Sequence, residues 1–304
     1  MKQTSRREFL QTSAMLCAAT IVNSSFGLKK DRPLLSFSTL GCPDWTFEQI
    51  TNFARKHQYQ GLEIRGIQRQ LDLAKCNEFS SPAHIQTTMK IMNEKGLQFV
   101  DLGSSTTLHF ADTAERRKNL DEGRRYIDLA QQINCPFIRV FPNSFPKEQS
   151  REATMDLIVK GLLELAEHAK GSAVTVLIES HGDLVKADDL EKVMQWAEHP
   201  QVGMIWDICN MWMVTKEAPV TVYERLKRYI RHTHIKDAAI AEGKPQYRLL
   251  GKGEVPIFEA IDVLSNDGYK GYYSFEWEKL WHPELEAPEI ALADYSKVMK
   301  EYFR

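Results

Sequence analysis

What the chain does not contain narrows its possible functions first. No apolar run approaches the roughly 18 residues that a spanning helix needs, so no stable membrane anchor is expected. Neither sign of charge dominates. The 39 Lys and Arg stand against 41 Asp and Glu, a net charge of −2, which argues against nucleic acid or another polyanion as partner. The five cysteines (Cys17, Cys42, Cys76, Cys135, Cys209) include no C-x-x-C pair, so neither a disulfide framework nor a thiolate zinc site is suggested. No Gly-x-Gly-x-x-Gly follows the first strand-like stretch, and Gly251-Lys-Gly253 lacks the Walker pattern and reads as a loop. What is left is an ordinary globular balance, 43% hydrophobic and 26% charged over 304 residues, enough for one large domain or two small ones.

The N-terminal stretch stands apart. Ser5-Arg6-Arg7-Glu8-Phe9-Leu10 is a twin-arginine pattern, followed by a short, weakly hydrophobic segment over 12–22 and the small polar residues Asn23, Ser24 and Ser25. It reads as a twin-arginine signal peptide over residues 1–30, which implies a periplasmic or otherwise exported protein. Leu16 before Cys17 is not the small residue of a lipoprotein site. That export route carries folded, cofactor-loaded proteins, which suits an enzyme that takes up a metal before export. The folded domain is then expected over 31–304.

From Pro33 onward strand-like and helix-like stretches alternate. Strands are expected at 34–39, 61–65, 97–102, 137–141, 174–179, 202–207, 230–236 and 272–276. Helices are expected at 46–57, 82–95, 113–133, 151–170, 187–198, 220–228, 257–265 and 289–302. Thr46-x-x-Gln49 is a capping box, and Pro82 and Pro256 sit where a helix starts. Gly61, Gly96, Gly171 and Gly271 each precede a strand and are expected to supply left-handed helix stops. Eight strand–helix units favour a closed (β/α)8 TIM barrel, an α/β fold, over an open doubly wound sheet.

Four strands end alike. The run 174–182 is apolar on both parities and closes with Glu179, Ser180, His181 and Gly182, as a strand buried on both faces would. Strand six ends in Ile205-Trp-Asp207-Ile-Cys-Asn210, strand seven in His232-Thr-His234-Ile-Lys236-Asp237, and strand eight in Ser274-Phe-Glu276-Trp-Glu278. Alternation gives Leu177, Glu179 and His181 one parity, as it does Ile205 with Asp207, His232 with His234, and Ser274 with Glu276. If those parities face the barrel axis, Glu179, Asp207, His234 and Glu276 converge at its C-terminal mouth. Three carboxylates crowded there repel one another unless a proton or a cation neutralises them. One divalent metal ion (Mn²⁺, Mg²⁺, Co²⁺ or Zn²⁺) with three oxygen ligands and one imidazole resolves the conflict. His232, deeper in its strand, reads as a hydrogen-bonded core histidine.

These strand ends resemble the sugar phosphate isomerase/epimerase group of the xylose isomerase-like TIM barrel superfamily, which also holds endonuclease IV, inosose dehydratase and the ketose 3-epimerases. The resemblance covers the folded domain and is specific in its second half. It implies that Glu179, Asp207, His234 and Glu276 are metal ligands, that Glu179 and Glu276 double as the acid/base pair, and that His181 contacts substrate. Asn210 stands where the ketose 3-epimerases carry a His, and 238–247 offers no His, so the three-metal DNA-repair centre of endonuclease IV is not implied.

The implied chemistry is coherent in itself. Moving a carbonyl or a stereocentre along a sugar begins with loss of a proton beside C=O, and a metal on the carbonyl and adjacent hydroxyl oxygens stabilises the enediolate. Two carboxylates on opposite faces can take the proton and deliver it. Lys236 either steadies the oxyanion or is a surface lysine. Arg65 and Glu63 share the barrel-facing parity of strand two, and either binds a substrate hydroxyl or pairs with the other. Asn210 and Asp237 are expected behind the ligands. Trp45, Trp206, Trp212, Trp277 and Trp281 lie at or after strand ends, where some suit sugar C–H faces, with core packing the simpler role for Trp206. The partner is therefore a small carbohydrate, and a homo-oligomer is left open. Three readings follow: an isomerase or epimerase of a sugar or keto-sugar, a lyase or dehydratase on a keto-polyol or keto-glycoside, and an exported sugar-binding barrel without catalysis.

Overall fold

The computed structural model describes residues 32–241 and 243–304. The expected twin-arginine segment at 1–30 lies outside the described residues. In chain order the elements are β1 (Leu34–Ser38), α1 (Phe47–Lys56), β2 (Gly61–Ile64), α2 (Pro82–Lys95), β3 (Gln98–Thr107), α3 (Thr113–Gln132), β4 (Phe137–Phe141), α4 (Arg151–Ala169), β5 (Thr175–Glu179), α5 (Ala187–Trp196), β6 (Val202–Asp207), α6 (Ile208–Thr215), α7 (Pro219–Leu226), β7 (Ile230–Ile235), β8 (Asp237–Ala241), β9 (Lys244–Arg248), α8 (Ile257–Asn266), β10 (Tyr272–Phe275) and α9 (Pro288–Tyr302). Eight strands close into an all-parallel barrel in the order β1-β10-β7-β6-β5-β4-β3-β2. This is the expected TIM barrel, with β8 and β9 as a separate antiparallel ribbon.

Strand alternation sorts the side chains into two environments. Ile138 and Val140 of β4, Val176 and Ile178 of β5, and Met204 and Trp206 of β6 join one apolar cluster with the helices. Burial of each such side chain contributes about 1.5–3 kcal/mol. The intervening residues point the other way, into the barrel, and many carry charge. Glu63, Asp101, Arg139, Glu179, Asp207, His232 and His234 are all buried. Hydrophobic cohesion therefore lies between strands and helices, while the interior is reserved for polar groups.

Local chemistry sets the boundaries. The capping box of α1 forms as its sequence demands: Gln49 N–H donates to Thr46 Oγ1 (3.2 Å) and Thr46 N–H to Gln49 Oε1 (2.8 Å). Two expected glycine stops adopt the left-handed conformation, Gly96 (φ 64°) and Gly171 (φ 83°); Gly61 and Gly271 do not. Gln58 (φ 61°) and Gly268 (φ 75°) turn the chain there instead. Gly61 serves close packing, because a Cβ would stand 2.4 Å from Val100 Cγ1. Three features differ from the sequence reading. β3 runs on to Thr107, α6 begins directly after β6, and the stretch between the expected strands at 230–236 and 272–276 contributes the β8–β9 ribbon.

Candidate metal centre

Glu179 is the last residue of β5 and Asp207 the last of β6; His234 is the penultimate residue of β7, and Glu276 follows β10 directly. Asp207 pairs laterally with His234 in the β6–β7 register. The barrel thus brings four side chains far apart in sequence to one mouth. One donor atom from each lies within 4.8 Å of the others, and all four residues are buried. His234 Nδ1 is 3.3 Å from Glu179 Oε1, 3.4 Å from Glu276 Oε2 and 3.9 Å from Asp207 Oδ2.

Each member is held from behind. Asp207 caps α6: its Oδ1 accepts the Asn210 N–H at 2.8 Å, which leaves Oδ2 turned to the mouth. His234 Nε2 donates to Glu63 Oε2 at 3.0 Å. That bond fixes the ring and leaves Nδ1 as the nitrogen facing the carboxylates. The same Glu63 oxygen accepts from His232 Nε2 (3.2 Å) and Ser274 Oγ (3.1 Å). Lys236 Nζ lies 2.8 Å from Asp207 Oδ2, 2.6 Å from Glu276 Oε2 and 2.7 Å from Glu278 Oε1. Arg139 Nη1, reaching in from β4, sits 3.2 Å from Glu179 Oε2 and 3.4 Å from Glu276 Oε1.

The proton affinities record this crowding. Burial pushes Asp207 up, Lys236 pulls it down, and the carboxyl stands at about 7. Burial alone would lower His234, but Glu276, Glu63 and Glu179 outweigh it and hold the imidazole well above its ordinary range. Burial would raise Glu276 as well; His234 and Lys236 overcome that and hold it well below the usual carboxylate range. Glu63 is likewise held low against burial, by the charge of His234 and by its hydrogen bonds to both histidines. A cation is the common demand of these groups. Two of the carboxylate oxygens facing the mouth, Glu179 Oε2 and Asp207 Oδ2, are buried and ion-paired, to Arg139 at 3.2 Å and to Lys236 at 2.8 Å, so positive charge is already what they attract. Three carboxylates and one imidazole converging in this way fit a divalent ion of hard to borderline character.

Several expectations need correcting. Glu63 does not pair with Arg65: its Oε2 is taken up by His234, His232 and Ser274. Asp237 does not support the ligands. It follows Lys236 on the opposite parity, and its carboxylate accepts backbone N–H groups of Ala238, Gly251, Gly253 and Val255. Asn210 reaches Asp207 through its backbone, while its side chain donates to Ser180 O at 3.5 Å. Lys236 is buried and ion-paired, which removes the surface reading. His181 packs its ring 4.8 Å from Phe141. Trp206 is core, stacked on Tyr223, and Trp277 is also buried; Trp281 is exposed. Arg139 and Asp101 were missed, although each is a lone charge in an apolar strand, Phe-Ile-Arg-Val-Phe and Phe-Val-Asp-Leu, and that pattern could have found them.

Against this geometry, the sequence profile described as Xylose isomerase-like TIM barrel matches residues 52–299. The chain belongs to the xylose isomerase-like TIM barrel family. Solved structures agree on the fold of this xylose isomerase-like barrel. The 3-keto-D-glucoside 4-epimerase YcjR from E. coli superposes with a TM-score of 0.71 at 14% identity, covering 88% of this chain and 99% of that one. The probable 3-DHS dehydratase AsbF from Bacillus anthracis gives 0.70 at 18%, covering 87% and 98%. The IOLI protein, solved with a bound zinc atom, gives 0.75 at 14%, covering 88% and 97%. No match to the chain was found among curated proteins.

Proposed function

We propose that this xylose isomerase-like barrel is a divalent-metal-dependent isomerase or epimerase of a sugar or keto-sugar. The observation that carries the reading is the placement of Glu179 and Glu276. They enter from β5 and β10, with β6 and β7 between them in the barrel, and both come within 3.4 Å of His234 Nδ1. Glu179, Asp207, His234 and Glu276 would hold the ion, which supplies Lewis-acid polarisation of the substrate carbonyl.

The chain's own groups do the rest. Glu179 and Glu276 flank the substrate, one removing the proton beside C=O and the other returning a proton to the opposite face. Lys236 and Arg139 keep both carboxylates ionised and thus able to accept that proton. Lys236 Nζ, 2.6 Å from Glu276 Oε2, is also placed to meet negative charge developing on substrate oxygen. Burial of the whole set excludes water, which strengthens each of these interactions.

The test is solvent exchange. Incubated in D₂O with keto-sugars and Mn²⁺, the protein should introduce deuterium at one carbon with no loss of water from the product. Glu179→Gln should abolish exchange and weaken metal binding. Full turnover and metal content in that variant would sink the proposal, and product lighter by one water would move the protein to the dehydratases, the reaction class of the B. anthracis relative. A sugar-binding barrel without catalysis predicts calorimetric binding and no exchange at any carbon. Export by a twin-arginine signal over 1–30, ahead of one catalytic domain over 31–304, belongs to the same proposal. A reporter fused to residues 1–35 should be exported, and Arg6→Lys with Arg7→Lys should stop it.

A further inference from the structure

Two arginines enter the barrel interior, Arg139 within β4 and Arg65 directly after β2. Arg139 has its carboxylates, Glu179 and Glu276. Arg65 has no carboxylate in ion-pair contact among the described residues; Glu122 and Glu276 act on its charge only from farther away. Its Nη2 donates to Ser105 Oγ at 2.9 Å, and its Nη1, buried, makes no hydrogen bond. The residue is only 6% exposed. A guanidinium does not shed its proton in a protein, so a buried one with no anion in contact leaves its charge only partly compensated.

The neighbouring strand makes this arrangement possible. Arg65 follows β2 directly, Gly103 lies in β3, and Gly103 pairs laterally with Arg139 on β4. A Cβ at Gly103 would stand 2.9 Å from Arg65 Cδ and 3.2 Å from Arg139 Nη2, so the glycine is what lets the two arginines lie side by side. Arg139 in turn covers the Phe141 ring at 4.0 Å, with the His181 ring on Phe141 at 4.8 Å. The second guanidinium makes the first harder to satisfy with a neutral partner. A substrate hydroxyl would accept a hydrogen bond from Nη1 but leave the charge uncompensated.

We propose that Arg65 binds a carboxylate carried by the substrate, so that the sugar acted on is an acidic one, of the uronate or keto-acid class. This rests on the metal-dependent reading of the same mouth. The free Nη1 and the remaining N–H of Nη2 form one edge of the guanidinium fork, which matches the two oxygens of a planar carboxylate. The same edge also matches two oxygens of a phosphate, but a dianion would keep an uncompensated charge there, since Arg139 is already engaged by Glu179 and Glu276. A substrate seated there has its acidic end on the β2 side and its remaining oxygens toward Glu179 and Glu276, next to Arg139.

Calorimetry on the Mn²⁺-loaded full chain tests this. The probes are D-glucuronate and D-galacturonate against D-glucose and D-galactose, with D-glucose 6-phosphate as a third arm. At least one uronate should bind about tenfold or more tightly than its parent sugar. Arg65→Gln should erase the preference while Mn²⁺ affinity stays unchanged, and Arg65→Lys should retain part of it. Equal or undetectable binding of uronates and parent sugars overturns the proposal, as does a preference that survives Arg65→Gln. Tighter binding of the phosphate ester overturns the carboxylate class. Should Arg65→Gln not fold, wild type against Arg65→Lys decides. Failure of Mn²⁺ to bind wild type would strike the metal-dependent reading instead, so the two failures are distinguishable.

Discussion

His234 is gripped from two sides, and the two grips have opposite uses. Nε2 is spent on Glu63, 171 residues away in sequence, and Nδ1 is thereby committed to the carboxylate cage. Replacing Glu63 with Gln exchanges a pure acceptor for an amide that can also donate, and the ring loses its reason to keep one tautomer. Glu63→Gln is expected to weaken divalent-metal affinity about 10- to 100-fold, read by calorimetry, with the barrel still folded by circular dichroism. At this scale Glu179, Asp207 and His234 were legible in the sequence because each is a polar residue closing an apolar strand, and parity gave the direction of its side chain. The role of Glu63 was not legible, since its partners lie across the barrel and only closure brings them together. Arg139 and Asp101, set inside strands rather than at their ends, escaped the same rule.

Regular elements were read well where one face is apolar and the other is not. α2, β4 and β6 have the bounds their patterns imply, since the buried face fixes the period. The β8–β9 ribbon escaped because it rests on no sheet. Lys244, Pro245 and Gln246 of β9 are exposed, so alternation carries no signal there. α6 was hidden differently, its cap being Asp207, a residue whose carboxylate already had a use at the mouth. The turn after the ribbon depends on Asp237, which gathers the backbone N–H groups of Gly251, Gly253 and Val255. Asp237→Ala strands those donors and should cost roughly 2–4 kcal/mol. Limited proteolysis should then cut within 243–255 faster than in wild type, while metal affinity, which does not depend on this turn, is retained. Gly253→Ala should behave alike, because its Cβ would collide with the Asp237 carboxylate.

For the molecule as a whole, the ion and the proton compete for one cage. Asp207 is raised from its ordinary 3.8 to about 7, chiefly by burial. A carboxyl raised by folding holds its proton when the unfolded chain has already released it. Its contribution therefore favours the folded state at low pH and is lost as pH climbs from about 4 through about 7. Chelator-treated wild type should lose melting temperature relative to chelator-treated Asp207→Asn across that window. A divalent metal at about 100 times its dissociation constant should restore about 2.7 kcal/mol to wild type near neutral pH. A parallel pH dependence in the two chelated proteins would show that Asp207 is not the group responsible.

The division between an oily layer outside the strands and a polar lumen inside them has a consequence for how this scaffold can change. The glue of the fold lies where no ligand goes, so exchanging one inward-facing residue for another changes the lumen and leaves the adhesive layer untouched. Such a barrel can change what it binds without first losing the packing that keeps it closed.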